Sequence, residues 1–303
     1  MVLSIDAEKI SCPPKHIYEP CKCYDGPHPH LVCQNIDDTE VLRDIFIRSS
    51  PYWYKEVHIE YSVLQYLPHD MFQGVRILGL YLKNTTLVEL FDETPESLQM
   101  IEVLHIENTE VFRGMSWEHL RKFTNLRLLT VYYNSIPSLG SEFSALVSKT
   151  LEQLTFFGTG TELVKPGVFG GYDKLHKVAL DDCGITKLTR NIFPRPFNAK
   201  VLYFNYNKLT SIPDDLFADM PLLQTVGLRE NQLSTIPAPA FEGSTSKLEF
   251  LMLEGNPIIC DCRIMWLVRS KFSAVSGVCD SPKPLEGKEI KTLTARDMMC
   301  PEP

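Results

Sequence analysis

Leu202-Tyr203-Phe204-Asn205-Tyr206-Asn207-Lys208-Leu209 returns as Val226-Gly227-Leu228-Arg229-Glu230-Asn231-Gln232-Leu233, and again as Leu251-Met252-Leu253-Glu254-Gly255-Asn256-Pro257-Ile258. In each copy two apolar residues stand two apart, a small polar residue follows three later, and an apolar one comes two beyond it. Looser copies continue the series upstream. The first apolar position recurs at 57, 80, 104, 129, 154, 178, 202, 226 and 251, always 23 to 25 residues apart. A fixed period of that size marks stacked repeats, each of which buries its apolar side only against its neighbours.

The period and phrase are those of the leucine-rich repeat. They predict an α/β solenoid, a horseshoe of about nine repeats with a parallel concave β-sheet. The expected divisions are an N-terminal cysteine-rich cap and lead-in at 1–53, repeats at 54–256 and a C-terminal cysteine-rich cap at 257–303. In each strand the two apolar residues face inward, because strand side chains alternate. The small polar position reads Ser62, Thr85, Thr109, Asn134, Thr159, Cys183, Asn207, Asn231 and Asn256. Its side chains are expected to form a hydrogen-bonded ladder from coil to coil, satisfying backbone groups that the turn would strand. In that place Cys183 reads as a buried free thiol, which outweighs a reactive or interchain cysteine. Fifteen residues after the repeat start lies a second column, Phe72, Phe169, Phe193, Phe217 and Phe241, with Phe143 one residue early. Pro95 and His119 break it in repeats two and three, whose return segments are expected to be irregular or helical.

A single globular core would be near its upper size limit at 303 residues, and a solenoid escapes that limit. The net charge is −8, and the last 47 residues, with seven Lys/Arg and six Asp/Glu, do not supply it. An acidic repeat surface excludes nucleic acid and anionic lipid headgroups as natural partners. No apolar run reaches the length of a membrane span, and residues 1–10 lack the basic start and apolar core of an export signal. Eight of the nine cysteines nevertheless sit in two terminal clusters, as in extracellular proteins. A mature or trimmed extracellular, secreted chain, its signal peptide absent, is expected.

No catalytic constellation is present: no Gly-x-Ser-x-Gly, no P-loop, no His-Glu-x-x-His. The expectation is no enzyme, no cofactor and no metal. Phe157-Gly158-Thr159-Gly160-Thr161 looks like a phosphate loop, but Thr159 belongs to the ladder, so its glycines read as turn residues. His58 and Glu60, like His105 and Glu107, share an exposed face about 6.6 Å apart, while the two pairs lie about 9.6 Å apart across the sheet. That spacing is too wide for one metal and favours polar surface; His28-Pro29-His30 likewise reads as a solvated loop. The concave face is where function is legible. Tyr61, Tyr81, Tyr132, Tyr133, Phe157, Tyr203 and Tyr206 crowd a surface that should face water. Tyrosine offers rigid contact area with a polar tip, as binding surfaces require. Charges are interspersed, among them Asp181 and Arg229, and the acids favour a partner with apolar and basic features. Cross-strand packing that merely stiffens the sheet is the competing reading. Asn84-Thr85-Thr86 is a glycosylation sequon, placed by register at the edge of this face.

The caps carry a resemblance. Cys12-Pro13-Pro14 with Cys21, Cys23 and Cys33, and Cys260-Asp261-Cys262 with Trp266, Cys279 and Cys300, resemble the terminal caps of extracellular leucine-rich repeat proteins. The opening, the irregular early repeats and the length are similar to secreted arthropod members of that class, the family of non-catalytic subunits of Oplophorus-type luciferin monooxygenases and their relatives. The resemblance implies the disulfides Cys12–Cys23, Cys21–Cys33, Cys260–Cys279 and Cys262–Cys300. Zinc is the rival for such clusters, but they flank the repeats and lack paired Cys-x2-Cys spacing. It also implies a protein partner, such as the catalytic subunit of a secreted complex. Recognition of a glycan or other small ligand, and a trimmed receptor or adhesion ectodomain, are the alternative functions.

Overall fold

The structure, a computed structural model, describes residues 11–26, 29–50 and 52–301; residues 1–10, read above for an export signal, and His28 lie outside them. The chain forms two compact units. The first runs to Ser135 and includes Leu146–Leu151; the second holds Ile136–Ala145 and the chain from Glu152 onward.

In the first unit the strands are β1 (Lys22–Tyr24), β2 (His30–Gln34), β3 (Trp53–Glu60), β4 (Val63–Leu64), β5 (Arg76–Lys83), β6 (Thr86–Leu87), β7 (Val103–Glu107), β8 (Glu110–Val111) and β9 (Leu128–Tyr132). The order β1-β2-β3-β5-β7-β9 makes the main sheet, and β4-β6-β8 a narrow second one. Only β1–β2 is antiparallel; the rest of the main sheet pairs in parallel, with Leu31, Val57, Leu80, Leu104 and Leu129 directly opposite one another. In the second unit β10 (Ser138–Leu139) pairs with β12 (Leu163–Val164). The main strands are β11 (Gln153–Phe157), β13 (Lys177–Asp181), β14 (Val201–Tyr203), β15 (Thr225–Gly227), β16 (Phe250–Met252) and β17 (Ala274–Ser276). They align Leu154, Val178, Leu202, Val226, Leu251 and Val275 in one row. The repeat starts read from the sequence are therefore the register of each sheet, and all nine are buried. Burying each such side chain is worth about 1.5–3 kcal/mol, which is what holds coil to coil.

All nine ladder residues are buried. Asn207 shows the logic: its Oδ1 accepts the Cys183 and Ile185 amides at 3.1 and 3.0 Å, while its Nδ2 donates to the Leu180 carbonyl at 2.8 Å. Asn231 and Asn256 repeat the pattern one and two coils on. Ser62, Thr85 and Thr109 each donate to the carbonyl two residues back, of Glu60, Lys83 and Glu107, while the Thr159 hydroxyl meets that of Thr161 at 2.8 Å. Cys183 is buried and unpaired, its Sγ 3.3 Å from the Asp181 carbonyl; burial pushes the thiol above its ordinary range.

The phenylalanine column differs from the sequence expectation in repeats two and three. Phe91 and Phe123 are fully buried there, with ring centroids 6.1 Å apart, and Phe91 lies 5.9 Å from His119. The core does not break; it is filled from other positions of the return segment, because loops without a fixed length shift the residue that reaches inward. Regular structure in those return segments is confined to the short strands β6 and β8 and the helical turn Trp117–Leu120. In the second unit Phe217 stacks on Phe241 at 4.8 Å and Phe241 on Trp266 at 5.3 Å, so the column runs into the C-terminal cap. Each cap contains two disulfides, Cys12–Cys23 and Cys21–Cys33, then Cys260–Cys279 and Cys262–Cys300, the pairing that the resemblance implies. In the second cap Lys291 Nζ donates to the carbonyls of Leu267 (3.1 Å) and Ser270 (2.6 Å) at the end of the helix Met265–Arg269, where a cation also meets the helix dipole.

Candidate functional site

The open side of the first unit's sheet carries a continuous line of rings. Tyr24 stacks on His30 at 4.9 Å; His30 meets His58 at 6.0 Å, and His58 lies flat on Tyr81 at 4.5 Å and 7°. Tyr81 then meets His105 at 5.6 Å and His105 meets Tyr132 at 5.5 Å. Carboxylates flank the line. Glu56 accepts from or caps His58 at 3.1 Å, Glu107 lies 3.3 Å from His105 and 3.1 Å from Lys83, and Glu60 accepts from Gln34 at 2.7 Å. Burial, aided by Glu56, raises the Tyr81 phenol; burial would also raise Glu107, but Lys83 and His105 outweigh it and hold that carboxyl below its usual range. Among the described residues no group of three or more His, Cys, Asp or Glu is placed to hold a metal. The predicted His–Glu pairs thus turn toward their own strands and toward tyrosines, not toward each other.

Tyr61 and Tyr133 directly follow the ends of β3 and β9. They are 54 % and 57 % exposed, with φ of 50° and 52°. In the second unit Tyr206 matches them, 53 % exposed at φ 57°. These positions fall four residues after the repeat start, and every residue there is left-handed: Tyr61, Asn84, Asn108, Tyr133, Gly158, Asp182, Tyr206, Glu230 and Gly255. The cap strand β2 obeys the same rule at Asn35. A side chain with a Cβ costs about 1–2 kcal/mol in that region, and Gly or Asn escape most of it.

The second unit's sheet uses its polar residues differently. Asp181 Oδ1 accepts the Asn205 amide at 2.7 Å, and Asn205 Oδ1 accepts the Arg229 amide at 3.0 Å. Arg229 then forks onto Glu254 at 2.8 and 3.0 Å. That ion pair raises Arg229 and, against burial, lowers Glu254. Burial pushes the Asp181 carboxyl up to about 6, although its bonds to Asn205 pull the other way. Tyr203 and Asn205 lie over Gly227, where an added Cβ would sit 2.6 Å from the tyrosine ring and 2.7 Å from the amide oxygen. Phe157 is half-buried on the same sheet. Asn84, the sequon residue, accepts from Asn108 at 2.6 Å, with Thr85 buried behind it.

Sequence reasoning set Tyr81 and Tyr132 opposite the buried positions of their strands, where they lie, but missed the ring line. Tyr24 and His30 belong to a cap, outside the repeat period. The left-handed row had a signal, since Asn84, Asn108, Gly158 and Gly255 are residue types that tolerate it.

Repeat, register and ladder together define a leucine-rich repeat fold. Residues 173–233 and 197–258 match the family model for the leucine rich repeat. Over 95 % of its length the chain is 24 % identical to the Oplophorus-luciferin 2-monooxygenase non-catalytic subunit of Oplophorus gracilirostris, 89 % of which is covered. It is also 25 % identical to lumican of Coturnix japonica, over 60 % of each chain. Among solved structures it is similar to a chain of the Toll–Spatzle complex of Drosophila, with a TM-score of 0.62 and 16 % identity over 80 % of this chain. A chain of the TLR13–ssRNA13 complex aligns with a TM-score of 0.59 and 20 % identity over 76 %. The alignments span 35 % and 40 % of those two longer chains. No helix among the described residues is long and apolar enough to cross a membrane.

Proposed function

We propose that the protein is an extracellular, non-catalytic binding subunit that holds a protein partner on the open faces of its sheets. Tyr61, Tyr133 and Tyr206 are its anchors. One observation carries this reading: three large rings occupy backbone positions with φ near 50° and remain more than half exposed. The left-handed backbone there favours glycine or asparagine over tyrosine. A large ring kept on a left-handed, largely exposed backbone position is a pointer to function. The carboxylates beside the rings suit a partner with basic as well as apolar features. Eight disulfide-bonded cysteines support an oxidising, extracellular setting. The relative named as a non-catalytic subunit makes a secreted catalytic chain a reasonable first partner to seek. A sugar has less to stack on in the first unit, because His58 and Tyr81 turn their faces to each other.

The test begins with the native secreted protein: mass spectrometry of what copurifies names the partner. The triple variant Tyr61→Asn, Tyr133→Asn, Tyr206→Asn is then compared with wild type by titration calorimetry. Loss of more than about 1 kcal/mol of binding, with an unchanged unfolding midpoint, is expected of interface anchors. Unchanged affinity in the folded variant refutes the assignment, and a glycan array scores the small-ligand alternative.

A further inference from the structure

We propose that the protein associates with a second copy of itself head to tail, Phe112 of one copy entering an apolar pocket beside Trp266 of the next. Phe112 follows β8 and is 65 % exposed, the most exposed phenylalanine among the described residues. It borders a groove of about 500 Å³ whose floor includes Val63 and Val88 and whose rim is Asp37, Asp38 and Glu40. No lysine or arginine lines that groove. Glu110, at the start of β8 and two residues before Phe112, adds another exposed carboxylate nearby in the chain. Asp37 and Glu110 have no ion-pair partner among the described residues.

The complementary surface lies in the C-terminal cap. Met265, Trp266 and Phe272 line a pocket of about 520 Å³ rimmed by Arg269 and Lys271, with no acidic residue around it. Both cations are exposed. In a chain of net charge −8, an apolar pocket bordered only by cations is the exception. A phenylalanine bordering an acid-rimmed groove, its neighbour Arg113 already paired with Glu89, and an apolar hole rimmed by bases are complementary in polarity and in charge. Such a heterologous contact propagates beyond a dimer unless it closes into a ring. The two patches are small, so the contact is expected to be weak, with a Kd on the order of 10–100 µM in low salt. Added salt should weaken it, since exposed charge pairs are screened.

Sedimentation equilibrium of the disulfide-intact chain tests this. Wild type should show reversible association at 50 mM NaCl that falls several-fold at 500 mM. Phe112→Ser and the double variant Arg269→Glu, Lys271→Glu should each associate at least tenfold more weakly, with wild-type unfolding midpoints because all three residues are exposed. Mixing the two variants should restore a one-to-one dimer that grows no further, since each supplies the half the other lacks. A wild type that stays monomeric to about 1 mM, roughly tenfold above the top of the expected Kd range, overturns the proposal. So does either variant associating like wild type, or a mixture that fails to pair.

Discussion

Replacing Asp181 with asparagine should make the protein more stable at neutral pH. The Asp181 carboxyl accepts the Asn205 amide, and asparagine keeps that acceptor; Asn205 itself performs the same task for Arg229 one coil on. What the substitution removes is a charge held in a partly desolvated place. A carboxyl raised from 3.8 to about 6 binds its proton more tightly when folded than when unfolded. Stability is therefore fully present below pH 4 and declines as pH rises through 6. The full interval corresponds to about 3 kcal/mol, and partial exposure reduces it to about 1–2 kcal/mol. Urea unfolding of wild type and Asp181→Asn at pH 4 and pH 7.5 measures the difference, provided the m-values agree. The two proteins should coincide at the lower pH and diverge in favour of the variant at the higher. A variant equal to or weaker than wild type at pH 7.5, or an offset independent of pH, refutes the reasoning. If the offset is found, the fold tolerates this carboxylate at a cost that an amide would avoid. A partner's cation is then the natural reason for keeping it, and partner affinity should rise with pH through about 6.

Three further outcomes test the internal ladder and cap. Asn207→Ala strands the Cys183 and Ile185 amides and the Leu180 carbonyl and should cost about 3 kcal/mol in urea unfolding. Ellman titration without reductant should find no reactive thiol in the native protein and one per chain in denaturant, because only Cys183 is outside a disulfide and it is buried. Lys291→Met should lower stability by about 2 kcal/mol, since it removes a charged donor from the final carbonyls of the helix Met265–Arg269; a thermal scan that shows no shift would mean water replaces the ammonium there.

The parts of the fold that were legible are those fixed by the repeat itself. Leu202, Val226 and Leu251 align because each must turn inward from a strand of the same length and spacing, and a single slip would expose the whole row. The return segments were less legible. Phe91 and Phe123 fill the core from places that no period predicts, since a loop of variable length can bring any nearby ring inward. The face was legible by side but not by task. Tyr81 and Tyr132 belong to a ring line whose other members include His30 and Tyr24 in the cap, and such lines follow from neighbours across strands, not along them.

That division of tasks is what separates the tyrosines. In the first unit the sheet's open side is stiffened by rings: Tyr81 has His58 on one side and His105 on the other. In the second it is stiffened by side-chain oxygens, Asp181 and Asn205, that take the amides of the next coil where β14 and β15 end after three residues. Within the repeats the ring line uses His58, Tyr81 and His105 one residue after the repeat start and Tyr132 three after it, while Asp181 and Asn205 both stand three after it. The fourth position is left-handed in every repeat: Asn108 donates to Asn84 across neighbouring coils there, while Tyr61, Tyr133 and Tyr206 remain more than half exposed. Asn, Gly or Asp at that place reflects the backbone's preference. Tyr61, Tyr133 and Tyr206 go against it. Each ring retains about half its burial, worth about 1–1.5 kcal/mol, against a strain of about 1 kcal/mol, so exchange for asparagine leaves folding nearly balanced. Tyr81→Ala, by contrast, removes two ring contacts as well as buried area and should destabilise by about 2–3 kcal/mol. A Tyr61, Tyr133, Tyr206 triple asparagine variant that unfolds as readily as Tyr81→Ala would show that the exposed rings belong to the scaffold, and the partner would then have to be sought on another surface.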